Sequence, residues 1–68
     1  MNNLKTIREA NNLSQSQLAE RAGVNVRILQ YYEQGANDIN KAQAIKVYKL
    51  ARALGCKMED ILNLEGVE

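Results

Sequence analysis

The chain has 68 residues, of which 46% are hydrophobic, with one cysteine, no histidine and a formal net charge of +1. This size allows one domain, and the composition excludes an internal disulfide and a cluster of zinc ligands. No apolar run approaches the ~20 residues of a membrane helix, and no signal-peptide pattern is present. We therefore predict a single all-α domain over residues 1–68, with a core of about 4–64, a short tail of 65–68 and a place in the reducing cytoplasm.

The first two predicted helices are short and carry clear end signals. Helix 1 runs from Leu4 to Ala10 and ends at Asn11-Asn12, because Asn tolerates left-handed backbone geometry. Helix 2 covers Gln15 to Ala22. Ser14 is a favourable N-cap for it, and Gln17, three residues later, completes a capping-box pattern.

A tight turn joins helix 2 to a third helix. Gly23 suits the left-handed residue that ends a helix without a Cβ penalty. Asn25 can cap helix 3, whose inner face is formed by Leu29 and Tyr32 and which Gly35 ends. Two helices joined by a short glycine-containing turn make a helix-turn-helix, a geometry that can place the second helix in the major groove of DNA.

The remainder of the chain predicts a turn over residues 36–40 and two further helices. Asn40 is the predicted N-cap of helix 4, with Gln43 at the capping-box position, and the helix runs to Leu54. A short helix 5 extends from about Met58 to Asn63, with acidic residues in its first turn. The inner stripe predicted for helix 4 consists of Ala44, Val47, Ala51 and Leu54.

The chain resembles the Cro and phage-repressor type of helix-turn-helix domain, often called the XRE family. The resemblance extends from about Leu4 to Leu64. The stretch from Gly35 to Gly55 is somewhat longer than in the commonest version of the family, and the extra residues form either an additional helical turn or a larger loop. The residues that carry it are Leu13-Ser14-Gln15, Leu18-Ala19, Gly23-Val24, Glu33-x-Gly35, and the runs 48–55 and 58–62. The family implies a compact, lambda-repressor-like five-helix bundle that binds double-stranded operator DNA, usually as a homodimer. Helix 5 and residues 64–67 are then the expected dimer surface, with Ile45 and Tyr48 as a second option.

Four residues of helix 3 are predicted to contact bases: Val26, Arg27, Gln30 and Tyr31. Arg can bond guanine through two hydrogen bonds, Gln can do the same to adenine, and Val can touch a thymine methyl group. Tyr31 could reach a sugar, a phosphate or a methyl group. The alternative is that these side chains are solvated or, for Tyr31, partly packed against helix 2.

The expected phosphate contacts are Gln15, Gln34, Asn37 and Lys41. The role of Gln15, at the start of helix 2, is carried over from the family. Arg8 and Glu33 resemble a family pair that forms a partly buried ion pair between helix 1 and the end of helix 3. Cys56 is expected to be a small half-buried apolar residue.

These features predict a sequence-specific double-stranded DNA-binding transcriptional regulator, acting as a repressor. The alternative is a protein-interaction module or an antitoxin-type adaptor on the same fold, which the near-zero net charge permits. The sequence does not predict an enzyme, because it has no histidine, no paired carboxylates in an obvious pocket and no glycine-rich phosphate loop. No catalytic residue, metal, cofactor, membrane contact or small-molecule ligand is predicted.

Overall fold

A computed structural model describes residues 2–64, which form five α-helices and one 3₁₀ turn. The elements in chain order are α1 (Leu4–Ala10), α2 (Gln15–Ala22), α3 (Val26–Gln34), the 3₁₀ turn (Ile39–Lys41), α4 (Ala44–Leu54) and α5 (Met58–Ile61). The predicted all-α five-helix fold is therefore confirmed. Among residues 2–64, no helix is long and apolar enough to cross a membrane.

One hydrophobic core joins all five helices. α2 packs against both α3 and α4, α4 also packs against α5, and α1 packs against α3. The core residues are Leu4, Leu13, Leu18, Ala19, Ala22, Leu29, Tyr32, Ile39, Val47, Leu50, Ala51, Leu54 and Ile61. Burial of a single leucine contributes about 1.5–3 kcal/mol, so the fully buried Leu18 of α2 and Leu29 of α3 are among the larger contributions to the packing of these helices.

The first three helices begin and end where the local signals predict. Ser14 and Gln17 form the reciprocal capping box, with the Ser14 hydroxyl accepting from the Gln17 N–H at 3.1 Å and Gln17 accepting from the Ser14 N–H at 2.8 Å. Asn12 takes a left-handed conformation after α1, with φ of 58°. These interactions span at most a few residues, which explains why the sequence pattern is sufficient to place them.

The start of α4 differs from its prediction. Asn40 does not cap α4. It lies in the 3₁₀ turn, where its backbone N–H donates to Asp38 at 2.9 Å and its side chain exchanges hydrogen bonds with the backbone of Asn63. The longer connection after Gly35 is therefore a larger loop that contains one 3₁₀ turn. α4 begins at Ala44, and its N-cap, Gln43, makes no side-chain capping bond.

The inner face of α4 also differs in part from its prediction. Ala44 is the first residue of the helix and is exposed, so its placement in the inner stripe was wrong. Leu50, which was predicted with Tyr48 to flank the stripe, is a core residue and only 1% exposed, whereas Tyr48 is 45% exposed. α5 also ends at Ile61 rather than Asn63, because the backbone is extended at Leu62. The Asn63 N–H then donates a hydrogen bond to the side chain of Asn40.

The start of α5 is held by Asp60 rather than by a capping residue. The Lys57 N–H donates to Asp60 Oδ2 at 2.9 Å, while the Lys57 ammonium cannot accept a bond from the helix. The structure does not describe residues 65–68. The predicted tail, and residues 65–67 of the expected dimer surface, therefore lie outside the described residues.

Candidate nucleic-acid interface

The turn between α2 and α3 fixes the direction of the third helix. Gly23 ends α2 with φ of 68°, a left-handed conformation that suits glycine. The Asn25 side chain then accepts hydrogen bonds from the backbone N–H groups of Arg27 at 2.8 Å and Ile28 at 3.4 Å. α3 is thus capped at the position where it leaves the turn, which fixes the orientation of its first turn and of the exposed Arg27 within it.

α3 has a buried face and an exposed face. Leu29 and Tyr32 are buried, as predicted. The opposite side exposes Arg27, Tyr31 and Gln34, which are spaced by four and three residues and therefore share one face. Among residues 2–64 the Arg27 side chain has no hydrogen-bond or ion-pair partner, and the first turn of α3 contains no acidic residue. A cation near a helix N-terminus is unfavourable for the helix dipole, so this end of α3 favours an approaching anion.

Two of the predicted base-contacting residues are less exposed. Val26 and Gln30 are both half-exposed, and Val26 packs partly against the core. Ile28 is also half-exposed and turns toward a small cavity of about 30 Å³ between the α2–α3 turn and α4. Arg27, Tyr31 and Gln34 are therefore the exposed residues of α3, with Val26 and Gln30 at the margins of that face.

The predicted phosphate-contacting residues fall in two places. Asn37 and Lys41 line one shallow groove beside the 3₁₀ turn, together with Asp38, and Gln34 is exposed at the end of α3. Gln15 lies apart from them at the start of α2, where its Nε2 donates to Glu33 Oε1 at 3.1 Å. The structure brings Asn37 and Lys41 together and holds Gln15 in a separate network.

That network is centred on the ion pair between α1 and α3. Arg8 Nε donates to Glu33 Oε2 at 2.7 Å, and Arg8 Nη2 donates to Glu33 Oε1 at 3.0 Å. A third bond runs from Arg8 Nη1 to the Leu13 carbonyl at 2.8 Å. The hydrogen bond to Glu33 raises the pKa of Arg8, against an opposing effect of burial. The guanidinium and Gln15 thereby fix the C-terminal turn of α3 to α1 and to the start of α2.

Two contacts near α3 were missed from the sequence. Lys46 is half-buried and lines the small cavity beside Val24 and Asn25, whereas lysine side chains are mostly exposed. Its spacing of four residues from the core residue Leu50 was the available signal. Asn2 donates from its side chain to the Tyr32 carbonyl at 3.1 Å, and no sequence pattern indicated this bond.

The capped turn and the exposed, cation-bearing third helix define a helix-turn-helix domain of the DNA-binding kind. The model of the Helix-turn-helix family matches residues 4–61, which is most of the chain. The chain therefore belongs to the XRE-type helix-turn-helix family, whose members are regulators that bind double-stranded DNA. No curated protein shows significant sequence similarity to it.

Proposed function

We propose that the chain is a sequence-specific repressor that reads an operator through the major groove with α3. The observation that supports this most directly is the exposed Arg27 guanidinium, which lacks a partner among residues 2–64. Arg27 would bond guanine at two points, Gln30 would bond adenine, and Val26 would touch a thymine methyl group. Tyr31 would contact sugar, phosphate or methyl at the edge of the groove.

Phosphate contacts would fix the register of α3 in the groove. Asn37 and Lys41 are exposed together beside the 3₁₀ turn, and Gln34 is exposed where α3 ends. Gln15 would hold a second phosphate at the N-terminus of α2, where backbone N–H groups favour an anion. Its bond to Glu33 would keep its amide in position before DNA arrives.

We further propose that the protein binds as a homodimer on a palindromic site. α3 has nine residues and is therefore ~13 Å long, which covers only a few base pairs. Two copies with half-sites about one helical turn (~34 Å) apart would restore specificity. α5 and the neighbouring Leu64, which is 46% exposed, are the proposed contact between copies. Such a dimer would repress by occupying promoter DNA in the cytoplasm, where the lone thiol stays reduced.

The test is selection of bound sites from random duplexes, followed by binding measurements on two variants. Arg27→Ala should weaken binding to the selected site by ~1–3 kcal/mol, or about 5- to 150-fold, and relax the preference at one base pair. Lys49→Ala is the matched control, because it removes one exposed positive charge from a flank of α4 that does not face α3. Equal losses in the two variants, or an unchanged base preference in Arg27→Ala, would contradict direct readout. Selected sites without two-fold symmetry would contradict the dimer.

A further inference from the structure

A second exposed surface lies on α4, which we call the α4 patch and define as Arg21, Ile45, Tyr48, Lys49 and Arg52. Ile45, Tyr48 and Arg52 follow one another at three and four positions, and Lys49 lies four positions after Ile45 and three before Arg52, so all four share the outward side of the helix. Arg21 joins them from the last turn of α2, across an open groove whose floor includes Ala22 and Ala53.

We propose that the α4 patch binds an acidic, amphipathic helical segment of a partner protein, a function beyond DNA binding. The patch has three positive charges, and no acidic side chain lines its groove. Arg8–Glu33 is the ion pair found among residues 2–64, so the charges of Arg21, Lys49 and Arg52 are not neutralised within that part of the chain. A partner with carboxylates at helical spacing would supply the missing charge.

Arg52 is already oriented toward the outer face. Its Nη1 donates to the Tyr48 hydroxyl at 3.0 Å, and its guanidinium carbon lies 5.7 Å from the centre of the Tyr48 ring. This arrangement limits the freedom of both side chains while leaving four of the five guanidinium N–H groups for another acceptor. A carboxylate could therefore be bound with two hydrogen bonds at a smaller cost in side-chain entropy.

Exposed apolar surface next to these cations favours a protein over a nucleic acid backbone. Ile45 is 55% exposed and Tyr48 is 45% exposed, and both are large hydrophobic side chains on the same stripe. A sugar-phosphate backbone offers little apolar surface to cover them, whereas an amphipathic helix offers both apolar and charged groups. The stripe from Ile45 to Arg52 is ~10 Å long, which matches about two turns of a partner helix.

Charge also argues against a second copy of this chain pairing through the same face. A symmetric contact places each residue of the patch against the patch of its partner. Arg21, Lys49 and Arg52 of one copy would then meet the same three cations of the other. Like charges brought together in this way cost free energy, so the face suits a partner of opposite charge.

The patch also lies apart from the helix proposed to read DNA. Lys46 and Leu50 are the α4 residues that face the turn and α3, where they line the small cavity. Tyr48, Lys49 and Arg52 line the groove with the end of α2. A partner could therefore occupy the α4 patch while α3 remains in the major groove.

The experiment titrates isotope-labelled full-length protein with a 15-residue helical peptide that carries Leu and Glu on one face. A peptide of the same composition, with Leu and Glu distributed evenly around the helix, is the matched probe. We expect the first peptide to bind at least tenfold more tightly, with the largest backbone amide shifts at residues 21–22 and 45–53. Arg21→Gln/Arg52→Gln and Tyr48→Ala should each weaken binding at least fivefold, while Lys5→Gln, on α1, should leave it within twofold.

Three results would overturn the proposal. Equal binding of the two peptides would show attraction by charge alone, and an absence of shifts in the patch at millimolar peptide would show that it is not a binding surface. If Arg21→Gln/Arg52→Gln lost as much affinity for duplex DNA as for the peptide, the patch would be assigned to nucleic-acid binding. All substituted residues are exposed, and a thermal unfolding curve for each variant confirms that it is folded. The peptide result does not depend on whether α3 reads an operator.

Discussion

Replacing Glu33 by Ala tests whether the ion pair with Arg8 holds α3 in place. The two side chains are only 9% and 3% exposed, for Arg8 and Glu33 respectively. In Glu33→Ala the guanidinium loses two hydrogen bonds and keeps the one to the Leu13 carbonyl. A stranded buried charge costs about 3–5 kcal/mol, and we expect the lower end of that range because one bond remains.

That loss is large for a chain of this size. At ~0.05–0.15 kcal/mol per residue, a domain of 68 residues is stable by only about 3–10 kcal/mol. A destabilisation of about 3 kcal/mol should lower the melting temperature by ~12 °C or more. The assay is thermal and urea unfolding followed by circular dichroism. The pKa of Arg8 is raised, so the guanidinium stays charged through neutral and mildly alkaline pH and the loss should not vary there.

Two further variants distinguish the cost of leaving the buried Arg8 charge unpaired from the simple loss of its attraction to Glu33. Arg8→Met/Glu33→Leu removes both charges and keeps similar volume, so it should be much closer to the unaltered protein than Glu33→Ala. Glu9→Ala removes an exposed acid from α1 and should change stability by less than ~0.5 kcal/mol. A melting temperature within 2 °C of the unaltered protein for Glu33→Ala, or a double variant as unstable as the single one, would refute the reasoning.

Three smaller perturbations address the turn and the thiol. Gly23→Ala should lower the free energy of unfolding, measured in urea, by ~1–2 kcal/mol because alanine disfavours a φ of +68°. An added Cβ meets no atom within 4 Å, so a larger loss would indicate a steric clash. Asn25→Ala removes the cap of α3 and should cost about 0.5–2 kcal/mol, whereas equal stability would show that the cap is dispensable. Burial and the charge of Asp60 raise the pKa of the Cys56 thiol above its ordinary value, so its reaction with a disulfide reagent at pH 8 should be slower than that of a free thiol. Because the folded state holds this proton more tightly, the associated stability is present at neutral pH and is lost as the pH rises through the raised pKa. A rate equal to that of a free thiol would contradict the raised pKa.

The first half of the fold was predictable because its signals are local. Ser14, Gly23 and Asn25 each act on backbone groups within one helical turn, so the boundaries of α2 and α3 follow from the order of residues alone. The inner face of α3 followed in the same way from the spacing of Leu29 and Tyr32.

Tertiary structure decided the second half. Asn40 and Asn63 are 23 residues apart, and only the folded chain shows that the side chain of Asn40 bonds the Asn63 backbone rather than the start of α4. Arg21 and Arg52 likewise line one groove only because α2 packs on α4. A polar side chain such as that of Asn40 can bond several backbone groups. Tertiary packing determines which of these groups lies within hydrogen-bond distance, and the neighbouring sequence does not specify that distance.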